Sequence, residues 1–173
     1  PTKQSMDSFV SKLDDLPQKN LFLICTSDKG MCGAINSSMG RYFKAFVPKV
    51  LKAKKDASLF IIGDKGRGQL AKTFPENIAQ VCSDAKAPYS FTLASAIAQD
   101  VAPMKADAVH VVFQKYVSAI AYEATVITLT PPDAMSSEPY VEYEFEPDNK
   151  PELLEDMWEM SLATTIYTSM LET

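Results

Sequence analysis

The stretch LFLICTSDKGMCGAINSS, Leu21–Ser38, decides how the chain folds. Its first five residues are an apolar run bounded by polar breakers, which fits a buried strand better than a helix. From Ala34 the period changes. Ile35, Met39, Phe43, Phe46, Val47, Val50 and Leu51 recur at three- and four-residue steps, which puts them on one helical face, with Pro48 an expected kink. Between strand and helix lies a tight turn carrying Gly30, Cys32 and Gly33. Such a turn can be a nucleophile elbow, a phosphate cradle or a plain corner, and the rest of the chain has to choose among them.

Outward from this stretch the same alternation repeats. ASLFIIGDKG reads as a second strand ended by Gly63, RGQLAKTF as a short helix stopped by Pro75, and IAQVCSD as a third strand. In YSFTLASAIAQDVAP, Leu93, Ile97 and Val101 form a helical stripe that Pro103 ends. AVHVVFQKYVSAIAYEATVITLT has room for two strands, antiparallel if the chain turns tightly at KYVS. Before Leu21, Val10, Leu13 and Leu16 suggest the end of a helix or a short helical piece, stopped near Pro17. Residues 132–150 combine prolines with carboxylates and read as an exposed segment with one short strand in YVEYEF. Pro151 suits a first helical position, Glu152, Glu155 and Asp156 complement the helix N-terminus, and Leu154, Trp158, Leu162, Ile166 and Met170 carry the stripe onward. Strands and helices in alternation predict an α/β, Rossmann-like three-layer domain with a mostly parallel sheet and an antiparallel extension.

At 173 residues, 46% hydrophobic and 23% charged, the chain has the composition of one soluble globular domain. No apolar run approaches the ~20 residues that span a bilayer, and the start PTKQSMDSFV has neither a signal-peptide pattern nor an initiator Met, so a soluble, trimmed chain without membrane insertion is expected. Cys25, Cys32 and Cys82 form no C-x-x-C pair, which argues against a zinc site and a disulfide framework. The net charge of −5 conceals an asymmetry: residues 1–137 balance at +4, whereas residues 138–173 hold Lys150 against ten carboxylates. No basic cluster interleaves with aromatics, so nucleic acid is not an expected partner. The acidic end calls for a basic partner or solvent.

A nucleophile elbow needs glycines two residues to either side of the nucleophile. Gly30, Met31, Cys32, Gly33 is one residue short, and the sole histidine, His110, lies in AVHVVF, where a core or edge role is the commoner one. The dinucleotide pattern and the P-loop ending are both absent, and GDKGRG continues as Gln69-Leu70-Ala71. A nucleotide-binding or cysteine-dependent enzyme is the alternative these residues disfavour. The architectural reading gives Gly30 a positive φ, lets Gly33 bring helix and sheet together, assigns Ser37 and Ser38 to hydrogen bonds in the first turn, and makes Cys32 a small buried hydrophobe. No catalytic residue, cofactor or metal is expected.

LFLICTSDKGMCGAINSSMGRYF closely resembles the segment after the first long helix of F-type ATP synthase gamma subunits, where the family reads S-D-[RK]-G-L-C-G-[AS]-[IF]-[HN]-S. Ser27, Asp28, Lys29, Gly30, Cys32, Gly33, Ala34, Ile35, Asn36 and Ser37 meet that pattern, with Met31 in place of leucine. IIGDKGRGQL, VVFQKYVSAIAYEA, EYEFEPD and LATTIYTSMLET resemble later elements of the family. The resemblance implies a non-catalytic part of a rotary motor. Residues 1–20 would be the end of a preceding helix or a linker, 21–150 the body and foot, and 151–173 the helix leading toward the shaft. The family's two long coiled-coil helices have no counterpart in this sequence. Implied partners are the membrane c-ring, small central-stalk subunits of delta or epsilon type, and, through the shaft, the alpha/beta catalytic hexamer. The implied place is the mitochondrial inner membrane, peripheral on the matrix side. Glu142, Tyr143, Glu144, Phe145, Glu146 and Asp148 would form the foot against the ring.

Overall fold

The computed structural model describes residues 1–30, 34–85, 87–118, 121–134 and 150–173. The elements run β1 (Thr2–Ser5), α1 (Met6–Ser11), β2 (Lys19–Cys25), α2 (Ile35–Lys52), β3 (Asp56–Ile62), α3 (Asp64–Leu70), β4 (Ile78–Cys82), α4 (Phe91–Val101), β5 (Ala108–Ser118), β6 (Ala121–Leu129) and α5 (Lys150–Glu172), with short 3-10 turns at Leu13–Asp15, Ala102–Met104 and Pro132–Ala134. One six-stranded sheet has the order β1-β6-β5-β2-β3-β4. The four strands β5-β2-β3-β4 are parallel, while β6 and β1 extend the sheet antiparallel. This is the α/β class expected from the alternation.

The strands at the centre are apolar on both sides because both sides are covered. Phe22, Ile24, Leu59, Ile61, Val112 and Val126 face a core shared with α1, α2 and α3. Leu21, Leu23, Phe60, Val109, Val111 and Phe113 face a second core closed by α4 and α5. In the first core Phe9, Phe22, Phe43 and Phe46 pack at centroid distances of 5.4–6.4 Å, edge to face except for the tilted Phe9–Phe46 pair. Full burial of each such ring contributes about 1.5–3 kcal/mol. On α5 the inward stripe is Leu162, Ala163, Ile166 and Met170, all buried, with Trp158 half-buried before it.

Several elements differ from the sequence reading. The N-terminal residues, read as a helix end or linker, supply an edge strand: Thr2–Ser5 pair with Thr125–Thr128 of β6. Ser5 then caps α1, its Oγ accepting from Ser8 N at 3.3 Å. The segment after α1 is tied down by Lys55, whose Nζ donates to the carbonyls of Leu13, Asp14 and Leu16. Pro48 does not interrupt α2, which runs through it to Lys52. Leu51, placed on the buried face by its spacing, is 43% exposed, because it lies one residue, about 100°, round the helix from the fully buried Val50 and so falls at the edge of the stripe. The helix after β3 begins at Asp64 rather than Arg67, and KYVS is strand, so β5 continues to Ser118 before the chain reverses. The strand expected in YVEYEF lies outside the described residues.

Candidate functional site

In a sheet of this order the connections leave β2 toward β3 on one face and return to β5 on the other, so the C-terminal ends of β2 and β5 form the switch point where α/β proteins place ligands. The opening turn of Sequence analysis lies there. The structure fills the place with the chain's own side chains. Gln114, 2% exposed, lies two residues beyond the Ile24–Val112 pair, and its Nε2 donates to Ser38 Oγ at 2.7 Å, tying β5 to the start of α2.

Between β2 and β3 the hub is Thr26. Its N–H donates to the Ile62 carbonyl at 2.9 Å, its hydroxyl donates to the same carbonyl at 2.7 Å, and its Oγ1 accepts from Gly66 N at 3.1 Å. An amide that a phosphate would need is thus already taken. A Cβ at Gly66 would come within 2.5 Å of Thr26 Oγ1 and 2.9 Å of Ile61 Cγ2, so this glycine of GDKGRG serves close packing. Gly63 has φ +99°, and a Cβ there would meet Thr26 O at 2.5 Å.

Polar contacts lock the rest of the turn. Asn36 Oδ1 accepts from Ser27 N at 3.0 Å and its Nδ2 donates to Ser27 Oγ at 2.8 Å. Asp28 Oδ1 accepts from Asp64 N at 2.8 Å, and Asp64 Oδ1 accepts from Ser83 Oγ at 2.8 Å, so the ends of β2, β3 and β4 are laced together. Ser37 and Ser38 donate back to the Ala34 and Ile35 carbonyls at 3.2 and 3.0 Å, as expected of serines in a first turn. Gly30 is a correction. It does not hold the positive φ assigned to it, and a Cβ there would meet only the end of the Lys65 side chain, Cε and Nζ at an ordinary 3.5 and 3.6 Å. The residue that needs glycine's freedom is Gly63, where the chain leaves β3 and enters α3 within one residue. Cys32 and Gly33 lie outside the described residues.

The other titratable groups are arranged as core. His110 is 1% exposed, stacked on Phe22 at 4.9 Å, with Nδ1 2.9 Å from Thr128 Oγ1 and Nε2 3.0 Å from Asn20 Oδ1. Burial pushes its pKa down to about 3, so it is neutral at any physiological pH. Cys25 lies on the opposite side of the sheet, among the α4 and α5 contacts, and burial pushes its thiol up to about 12. The sheet separates this thiol from the imidazole. Cys82 is also raised, first by burial and then by the charges of Asp28 and Asp100, which disfavours the thiolate a nucleophile requires. Among the described residues no group of three or more His, Cys, Asp or Glu could hold a metal ion, and no helix is long and apolar enough to cross a membrane.

What the structure leaves open is a surface. On α5, Met157, Met160 and Leu171 are 54–58% exposed, on the face away from Leu162 and Ile166. Glu152, Glu155 and Asp156 flank the methionines, all exposed. The spacing of Leu154, Trp158, Leu162, Ile166 and Met170 found the inner stripe and missed this outer one. The signal was present: apolar residues all round a helix mean that both faces are meant to be covered. The β5–β6 hairpin adds Tyr116, Val117 and Tyr122, exposed beyond the ends of β2 and β1, the two tyrosine rings 5.8 Å apart. The stretch Glu142 to Asp148, which the resemblance assigns to a foot, lies outside the described residues.

A filled switch point and an uncovered helix face agree with what comparison shows. The family model described as ATP synthase matches residues 2–173. The chain is 30% identical over 164 residues to an ATP synthase gamma chain of Erythrobacter litoralis, covering 90% of this chain and 56% of that one. To the mitochondrial ATP synthase subunit gamma of Ipomoea batatas it is 26% identical over 179 residues, covering 95% and 55%. The chain therefore spans about half the length of the curated relatives it matches. Among solved structures it is similar to a chain of the Tetrahymena thermophila mitochondrial ATP synthase central stalk and c-ring, with TM-score 0.77, 25% identity, and coverage of 96% of this chain and 77% of that one. A chain of the Euglena gracilis mitochondrial enzyme shares the fold at TM-score 0.70 and 16% identity. From end to end of its α/β body, the chain belongs to the ATP synthase gamma family.

Proposed function

We propose that this chain is the body and foot of the gamma subunit of a rotary ATP synthase, a part of the central rotor that passes torque between a proton-driven membrane ring and the catalytic head. The observation that carries this reading is the family match over residues 2–173, which leaves no stretch of the body outside the likeness. On this reading the chain does no chemistry, and ATP is made and hydrolysed on other subunits. Gln114 bonded to Ser38 beside the β2–β5 switch point is in keeping with a fold kept for its shape.

The proposed place is the mitochondrial inner membrane, peripheral on the matrix side, since several relatives and the Tetrahymena neighbour are mitochondrial. The proposed partners are the c-ring, small stalk subunits of delta or epsilon type and, through long helices, the alpha/beta hexamer. The outer stripe of α5 would pack against a second long helix of the rotor, which its exposed methionines suit. Gly30, Cys32 and Gly33 are assigned a structural role in the turn. Glu142, Glu144, Glu146 and Asp148, with Tyr143 and Phe145 between them, are assigned to the ring contact, where charges would set orientation more than affinity.

An affinity-tagged copy expressed in its own cells tests the reading. Mitochondrial membranes solubilised in mild detergent and run on a native gel should carry the tag in the band that hydrolyses ATP. A tag found only in free protein would overturn the proposal. For the foot, replacing Glu144 and Glu146 together by lysine should uncouple proton flow from ATP synthesis while ATP hydrolysis persists. Coupled synthesis at wild-type rates would place the grip elsewhere.

A further inference from the structure

We draw no further inference here: the strongest candidate, the groove of about 550 Å3 between the first turns of α5, the Ala102–Asp107 turn and Pro131–Asp133, with Asp133, Glu155, Asp156 and Glu159 at its rim and Trp158 in its wall, carries nothing because nothing among the described residues shows what covers it.

Discussion

At the C-terminal ends of β2 and β3 the chain satisfies its own polar groups, whereas along the outer face of α5 it leaves methionines to solvent. Both regions belong to one α/β body, and each departs from what its element type alone would suggest. The ends of β2 and β5 have the geometry of a ligand crevice, yet Gln114 is bonded there to Ser38, and Thr26 fills the neighbouring β2–β3 corner. The last helix has the geometry of a surface helix, yet its outer side presents Met157, Met160 and Leu171 to solvent. Among the described residues, the Thr26 hydroxyl and the Gly66 N–H are paired within the chain in the first region, whereas in the second apolar side chains stay exposed.

The sharpest way to break the closed region is Gly63→Ala. Its φ of +99° is one that L side chains rarely adopt, and the added Cβ would lie 2.5 Å from the Thr26 carbonyl oxygen, which is backbone and cannot swing away. A loss of about 3 kcal/mol or more is expected in urea denaturation. Gly68→Ala is the internal comparison. The site is in α3 with nothing within 4 Å, so alanine should stabilise by up to about 1 kcal/mol through helix propensity. Equal effects at the two glycines would mean that the β3–α3 corner is not the rigid junction described.

A second probe uses pH. The folded chain holds His110 neutral down to about 3, while the unfolded chain takes up the proton near 6.5. Between those values the unfolded state binds one more proton, so stability is fully present above 6.5 and is lost as pH falls through the window, by up to about 1.4 kcal/mol per pH unit. His110→Gln should remove that increment from the acid limb while the carboxylate contributions stay. Identical slopes for both proteins between pH 6 and 4.5 would show that the ring is more open to water than its 1% exposure implies.

Thr26→Val tests the filling itself at smaller cost. The isosteric change removes the Oγ1 acceptor and leaves the Gly66 N–H buried and unsatisfied, for a loss of about 1–3 kcal/mol. Equilibrium dialysis with micromolar ATP should find no saturable binding to either protein. Stoichiometric binding by the wild type would reopen the nucleotide reading of the turn.

The two regions were also unequally legible in the sequence. β2, β3, the face of α2 and the inner stripe of α5 could be read because burial on a repeating geometry leaves a repeating pattern, and LFLIC or Leu162 and Ile166 carry it. β1 could not. TKQS is four polar residues on a sheet edge, where the pairing comes from the backbone and no side-chain alternation is required. Gly30 does not hold the positive φ expected of it, and among the described glycines that conformation belongs to Gly63, in a different corner at the end of β3, because a glycine in a motif shows that a turn exists and not that its own φ is positive. Thr26 as a hub was invisible for a related reason. Its partners Ile62 and Gly66 are 36 and 40 residues away, and no local pattern announces a contact that the sheet alone creates. The outer stripe of α5 was there to be read, but it was hidden by the assumption that a helix has one apolar face.

That stripe provides the smallest effect on the chain and the most direct test of the contrast. Met157 and Met160 are 54% and 58% exposed, so replacing both by lysine removes little buried area from the folded body. Exposed substitutions of this kind stay within about 0.5 kcal/mol. The lysine at 160 would, if anything, gain Asp156 four residues before it, so the chain itself should melt at an unchanged urea concentration. Assembly should respond differently. A helix packed on this face would have to bury two ammonium groups without partners, which costs several kcal/mol when no carboxylate follows them into the contact. The Met157→Lys, Met160→Lys protein should therefore fold normally yet fail to enter the ATP-hydrolysing band on a native gel, whereas Met157→Leu, Met160→Leu, which keeps the apolar surface, should enter it. Full assembly of the lysine variant would show that this face of α5 meets water in the motor, and that the contact surface of the body lies instead on the β5–β6 hairpin or the acidic foot.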